Sequence, residues 1–212
     1  MRTTLAAFLL FFALAPARPA AAFDAASEAR YQSLLAAAKA GGEPAVDWGV
    51  LRFAYADSAE FDLTGARTDA ARKAMFNAVN AGDPKTALAQ ARIIIAQDYV
   101  DIDAHLVADL ASRKLGDAAA SSREHDIVLG LLRSIHTSDG ASPATALKVI
   151  TVGEEYAAMR AFDMTVVSQA LVQDGGHAYD RLSVTDPDGK PLTIYFLIDG
   201  IVAAEGAAVR PH

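Results

Sequence analysis

Five histidines and a scatter of carboxylates are the residues with which this chain could do acid–base chemistry. The histidines are His105, His125, His136, His177 and His212. None belongs to a His-Glu-x-x-His or other close helical pair, so a helical metal motif is missing. His105 and His125 stand at similar distances on either side of Gly116. If that glycine closes a helical hairpin, the two imidazoles lie at similar heights across it, with Asp109 one turn beyond His105. Such a pair could share a ligand or a proton. The plainer expectation is two imidazoles with separate, ordinary hydrogen bonds.

A second group lies further along. The loop Ser138-Asp139-Gly140-Ala141-Ser142-Pro143 contains a turn signal at Asp139-Gly140. Glu154-Glu155 opens a short helix, where unpaired backbone N–H groups favour carboxylates. A sharper expectation brings His136, Asp139 and Glu154 together, one carboxylate acting as general base beside the histidine. His177-Ala178-Tyr179-Asp180 begins a strand after a glycine turn, so His177 and Tyr179 share a face and Asp180 faces away. Asp186 and Asp188 offer alternating oxygens of the kind calcium takes, but Asp-Pro-Asp-Gly is first a hairpin turn. No serine sits in a Gly-x-Ser-x-Gly context. Phosphate-loop and dinucleotide glycine patterns are also missing. The expectation is no cofactor and no metal.

The elements that must position these residues fall into two halves. From residue 23 to about 135 apolar residues recur at three- and four-residue spacing, the mark of helices. Leu34-Leu35 marks one helix. Asp47 caps the next, which carries Trp48, Phe53 and Tyr55 as expected core residues. Thr68 to Ala81 forms a third, ended by Gly82. Pro84 sits in the first turn of a fourth, which runs to Gln97. Asp101 or Asp103 begins a fifth, and Asp117 to Ile135 is a sixth. Gly82-Asp83 and Gly116-Asp117 are 34 residues apart. Ala87 and Ser121 hold matching small positions after them. That period and pattern resemble tetratricopeptide repeats, over two units only and without the large aromatic positions.

After a polar loop (136–145) the period changes. Residues 146–152 predict a short strand and 153–162 a short helix. Met164–Gln173, Ala178–Thr185 and Leu192–Asp199 alternate with period two, as strands with one buried face do. Ile201–Ala204 predicts an extension of the sheet, and residues 206–212 a frayed tail. The expected fold is α+β: tetratricopeptide-like helical hairpins packed on a C-terminal antiparallel sheet of three to four strands. The expected organisation is a leader (1–22), a helical region (23–135), a loop (136–145), a β-rich region with one short helix (146–205) and the tail.

The leader is read from Arg2, the apolar run Leu5–Ala15 and the small residues Ala20-Ala21-Ala22, which together describe a cleaved secretory signal. The run is too short to span a bilayer. The expected location is therefore extracytoplasmic, either periplasmic or secreted. The whole chain has 19 basic and 26 acidic residues and no cysteine. Residues 1–22 hold two arginines and no acid, so their removal leaves a formal charge of −9. Such a surface repels phosphate backbones and anionic lipids, which argues against nucleic-acid partners and direct membrane insertion. The acidic residues are spread along the chain, and most of them read as a solvated face.

Ile102-Asp103-Ala104-His105, Gly116-Asp117, Ser138-Asp139-Gly140 with Ser142 and Thr145-Ala146, Val149-Ile150, Glu154-Glu155-Tyr156, Tyr179-Asp180 and Tyr195-Phe196 together resemble a family of secreted bacterial proteins, the domain of unknown function DUF4919. The resemblance spans Trp48 to Asp199. It implies an extracytoplasmic protein without an assigned activity and brings no catalytic residues with it. It draws interest to His105, His125, Asp139 and Glu155, which fall within its blocks. Thr137 precedes Ser138-Asp139-Gly140 where the family pattern would place a further glycine before the aspartate. The expected function is a non-catalytic binding or scaffold protein for a protein or small-molecule ligand. The alternative is a hydrolase built from the His, Asp and Glu residues of 136–155.

Overall fold

The computed structural model describes residues 25–41 and 46–208, so the expected leader and His212 lie outside the described residues. Six helices come first: α1 (Ala25–Ala40), α2 (Trp48–Ala56), α3 (Asp69–Asn80), α4 (Pro84–Gln97), α5 (Ile102–Lys114) and α6 (Ala118–Ile135). A single 3₁₀ turn (Pro143–Thr145) leads into β1 (Leu147–Lys148) and α7 (Val152–Ala161). Then follow β2 (Thr165–Asp174), β3 (His177–Thr185), β4 (Pro191–Leu197) and α8 (Asp199–Ala208).

Side-chain caps set the helix starts. Asp47, Asp83, Asp101 and Asp117 each accept a hydrogen bond from the backbone N–H three residues on, which satisfies a donor that the first helical turn leaves open. Gly82 and Gly116 end α3 and α5 with φ of +68° and +82°. In both turns the next amide returns to the carbonyl five residues back, Asp83 to Ala78 and Asp117 to Ser112, each at 2.9 Å. That closure needs a left-handed residue, which glycine adopts without strain. The same device thus recurs at the 34-residue spacing. The two matching small residues, Ala87 and Ser121, are both buried.

The sheet order is β1-β4-β3-β2. β2, β3 and β4 are antiparallel neighbours, while β1 runs parallel to β4 with Leu147 opposite Phe196. β1 is much shorter than the strand expected over residues 146–152. Its chain leaves the sheet because the Ile150 amide turns to the Glu154 carboxylate at 2.8 Å and Thr151 caps α7. The expected extension through Ile201–Ala204 is overturned: these residues lie in α8. Ile201 is buried and Val202 exposed, a one-sided burial that the β-branched pair did not announce.

One cluster of buried side chains joins the two halves. It runs from Tyr31, Leu51 and Leu131 of the helices to Leu182, Val184, Ile194 and Phe196 of the sheet. A second, smaller cluster around Met75, Ile94 and Ala108 holds α3, α4 and α5 together. α7 packs against α5 on one side and β2 on the other. Among the described residues no helix is long and apolar enough to cross a membrane.

Candidate functional site

The structure separates the residues that chemistry would have grouped. His105 and His125 do not share a proton or a ligand position; each takes a carboxylate from the opposite helix. His105 is buried, with Nδ1 2.5 Å from Glu124 and Nε2 2.9 Å from the Tyr99 carbonyl. His125 lies 3.3 Å from Asp109, which also accepts from Ser121 (2.5 Å) and Arg113 (3.1 Å). Burial opposes ionisation of Asp109, but the bonds from Ser121 and Arg113 hold its carboxyl below the usual range. These are struts of the α5–α6 hairpin.

The expected meeting of His136, Asp139 and Glu154 does not form. His136 is exposed and lies against the Phe162 ring. Asp139 is exposed and accepts the Ala141 amide at 3.0 Å, shaping its own turn. Glu154 is buried against Arg52, a residue 102 positions earlier. Asp186 accepts the amides of Asp188 and Lys190 and is a turn residue. His177 lies 2.5 Å from Asp199, whose other oxygen takes the Ala178 amide and so ties α8 to β3. Of the expected aromatic core, Tyr55 is buried and Trp48 partly so, but Phe53 is 42% exposed.

The groups that do converge line a cavity of about 330 Å³. Its walls come from α2 and the loop after it, α3, the turn between α4 and α5, and the start of α7. The acids that the sequence spreads out gather here: Asp62, Asp98, Asp101, Asp103 and Glu154. These five are exceptions to the expectation that most of the acids form a solvated face.

Arginines answer all but one of them. Arg52 holds Glu154 through Nε at 2.7 Å and a terminal nitrogen at 2.5 Å, and also donates to Ser134 Oγ and the Lys148 carbonyl. Arg72 pairs with Asp101 and stands 3.8 Å from Asp103. Arg160 donates through Nε to Asp103 at 3.1 Å and through a second nitrogen to its other oxygen. Arg67 lies 3.4 Å from Asp62.

Asp98 is the exception. It is half-buried, ends α4 and accepts one hydrogen bond, from the Val100 amide at 3.1 Å. Among the described residues it has no ion pair. Burial, then the charges of Asp101 and Glu154, push its carboxyl up to about 8, with Arg72 pulling the other way. Tyr55 lies in the same wall. Its side chain is buried against the Tyr31 and Phe61 rings, and its hydroxyl is closed off from solvent beside the Asp62 backbone amide. Burial and then the Asp98 charge raise this phenol above its ordinary value.

Glu155 points the other way. Consecutive helical residues project about 100° apart, so Glu154 meets the helical layer while Glu155 meets the sheet beside Asp180. Glu155 is fully buried, and in its protonated form it hydrogen-bonds the Asp180 carboxylate. Burial, then the Asp180 charge, push it up to about 9, so it is protonated at neutral pH. Asp180 itself accepts from Gln169 at 2.5 Å, and Gln169 from the Tyr156 hydroxyl at 2.6 Å.

Asp98, Arg52, Arg72, Tyr55 and Asp180 escape a reading based on motifs. One local signal was present: Asp98, Asp101 and Asp103 fall within six residues across the junction of two helices. Among the described residues, no cluster of His, Asp and Glu could hold a metal ion. No curated protein and no solved structure matches the chain. The family model for the domain of unknown function DUF4919 matches residues 47–205, three-quarters of the sequence, and the chain belongs to that family.

Proposed function

We propose that this chain is an exported, non-catalytic binding protein whose cleft between α3, the α4–α5 turn and α7 holds a small polar ligand. The observation that carries the reading is the cavity of about 330 Å³ between these elements, into whose wall the charged side chains of four distant segments converge. A concave site with a few convergent polar groups is where small polar ligands are held. The helical hairpins, tetratricopeptide-like in their period, act as one wall of a scaffold rather than as a repeat array.

The test is in two parts. Expression of the full chain in a bacterial host should yield an extracytoplasmic product that begins near Phe23. Retention of an uncut chain in the cytoplasm overturns the export half. A thermal-shift screen of small polar compounds should then give ligands that stabilise the protein but not its Gly153→Leu variant. Gly153 lines the cleft, and a Cβ there meets only the Thr151 hydroxyl, at 3.4 Å. A Cβ therefore fits there without a backbone clash, and a leucine is expected to narrow the cleft. A ligand at a hundred times its Kd adds about 2.7 kcal/mol, a shift of roughly 5–10 °C for a chain this long. Equal shifts in both proteins, or none in either, refute the cleft as the site.

Hydrolysis is the second reading, and Asp98 favours it, because a carboxyl that titrates near 8 can act as a general acid at neutral pH. The geometry supports binding better. The other cleft carboxylates are each engaged by an arginine, so none is free to act as the paired base. Turnover of ester, amide or glycoside substrates that is lost on Asp98→Asn would reverse that preference.

A further inference from the structure

We infer that the open edge of the sheet, strand β2, pairs with β2 of a second copy of this chain to form an antiparallel dimer. The inference is independent of the cleft and concerns the side of α7 that faces the sheet.

The sheet ends differently at its two sides. At one, β1 is only two residues long, and the Tyr195 amide of β4 is taken by the Gly140 carbonyl at 2.8 Å. At the other, β2 runs for ten residues and, among the described residues, no strand lies outside it. The parity of the ladder tells which backbone groups are free. The Ala178 carbonyl accepts from the Ile198 amide and the Ala178 amide donates to Asp199, so Ala178 turns both groups away from β2. Backbone groups alternate sides along an antiparallel strand, so Tyr179 and Arg181 are the residues that bond to β2, opposite Val172 and Ala170. Gln169, Leu171 and Gln173 therefore present their amides and carbonyls to the open edge.

Proteins commonly guard such an edge with charge, proline or a break. From Thr165 to Gln173 β2 has no charged residue and no proline, in a chain whose formal charge is −7. Its irregularity, between Val166 and Ser168, leaves Ser168 to Asp174 in unbroken register with β3. Val167 and Leu171, 68% and 63% exposed, are the two most exposed large apolar side chains among the described residues.

A two-fold axis through Leu171 matches this segment to itself. Leu171 then lies opposite its own counterpart and Gln169 opposite Gln173, so each free backbone group meets a partner. On the other face of the strand Ala170 lies opposite Val172, in the closer, non-hydrogen-bonded kind of pair. Ser168 lies opposite Asp174, which gives that carboxylate a hydroxyl donor and keeps the two Asp174 charges at opposite ends of the pairing. A charged partner strand finds no counter-charge along Thr165 to Gln173, whereas a second copy brings no charge to that stretch. Because the far side of the sheet is closed, such a self-complementary contact stops at two copies.

The experiment is sedimentation equilibrium of the full chain at 2, 20 and 200 µM, joined to disulfide trapping. The mean mass should rise from monomer towards dimer and no further. Leu171→Lys sets like charges on the axis and should weaken association at least tenfold. Its circular dichroism and Tm should stay those of the wild type, because the side chain is exposed. The chain has no cysteine, so introduced cysteines report the register. Directly opposite Cβ atoms stand about 4.5–5.5 Å apart and diagonal ones about 7–8 Å. A mixture of the Ala170→Cys and Val172→Cys proteins should therefore cross-link under mild oxidation at least fivefold faster than either protein alone. A monomer at 200 µM overturns the inference, and is the result expected if the edge takes an extended segment of another protein instead. A dimer that Leu171→Lys leaves intact also overturns it, since the contact would then lie on another surface. Equal cross-linking in the mixture and in the single variants overturns it as well.

Discussion

Glu155 offers the sharpest test of the electrostatics, because its environment alone sets its protonation. Its carboxyl rises from an ordinary 4.5 to about 9 in the folded chain. Between those values the folded state holds a proton that the unfolded state has released. Stability must therefore fall as pH rises through that window, by about 1.4 kcal/mol per unit at most. From pH 5.5 to 8.5 this amounts to at most about 4 kcal/mol, a large share of the total for a single domain. Glutamine has nearly the same shape and cannot ionise, and its amide can donate to Asp180. Glu155→Gln should match the wild type within about 1–2 kcal/mol at pH 5.5 and exceed it by about 3 kcal/mol at pH 8.5. The assay is urea denaturation of both proteins at the two pH values. Asp98, also raised, gives both proteins the same additional slope, so their difference isolates Glu155. Parallel stability–pH curves for the two proteins would refute the reasoning, because they would mean that Glu155 is ionised in its buried site.

Arg52→Met should cost about 3–5 kcal/mol in the same assay, because it strands the buried Glu154 charge together with Ser134 and the Lys148 carbonyl. The double variant Arg52→Met with Glu154→Leu should recover most of that loss. Gly130→Ala in α6 reverses the usual helix rule. Alanine would ordinarily gain about 1 kcal/mol, but a Cβ there falls 2.2 Å from Trp48 Nε1. A net loss of about 1–3 kcal/mol is expected, with a shift in Trp48 fluorescence as the rigid indole moves. Gly82→Ala meets no neighbour and should lose only about 1–2 kcal/mol to its positive φ, with unchanged fluorescence.

The helical half was legible because its ends are local. Asp47, Asp83 and Asp117 cap from one residue, and Gly82 and Gly116 close turns within six. The buried face of the sheet was legible for the same reason, since Leu192, Ile194 and Phe196 alternate along one strand. The parallel β1–β4 pair was not, because two residues carry no period and their partner lies nearly 50 positions on. α8 was misread because Ile201-Val202 favours a strand by type, whereas burial of only one of the two fits a helix face. The site was least legible. Glu154 and Glu155 were noticed, but their environments are set by Arg52 and Asp180, both distant in sequence. Asp98 went unnoticed because an acid at a helix end is ordinary. What makes it exceptional is the missing arginine, and that is a property of the packing.

α7 shows why one packing decision governs the whole site. It lies between the helical layer and the sheet, and its two adjacent glutamates enter opposite interiors. One interior neutralises its carboxylate with Arg52, which spends its other donors on Ser134 and Lys148 and thereby fixes the helix against α2, α6 and β1. The other interior offers no cation and neutralises its carboxyl with a proton. Because Glu154 is held this firmly, it presents Asp98 with an immovable negative neighbour across the cleft. Relief for Asp98 then comes from a proton, which it holds below about pH 8. A variant that frees Glu154, such as Arg52→Met, should therefore shift the pH at which Asp98 titrates, read by NMR of its carboxyl, as well as the stability of the fold.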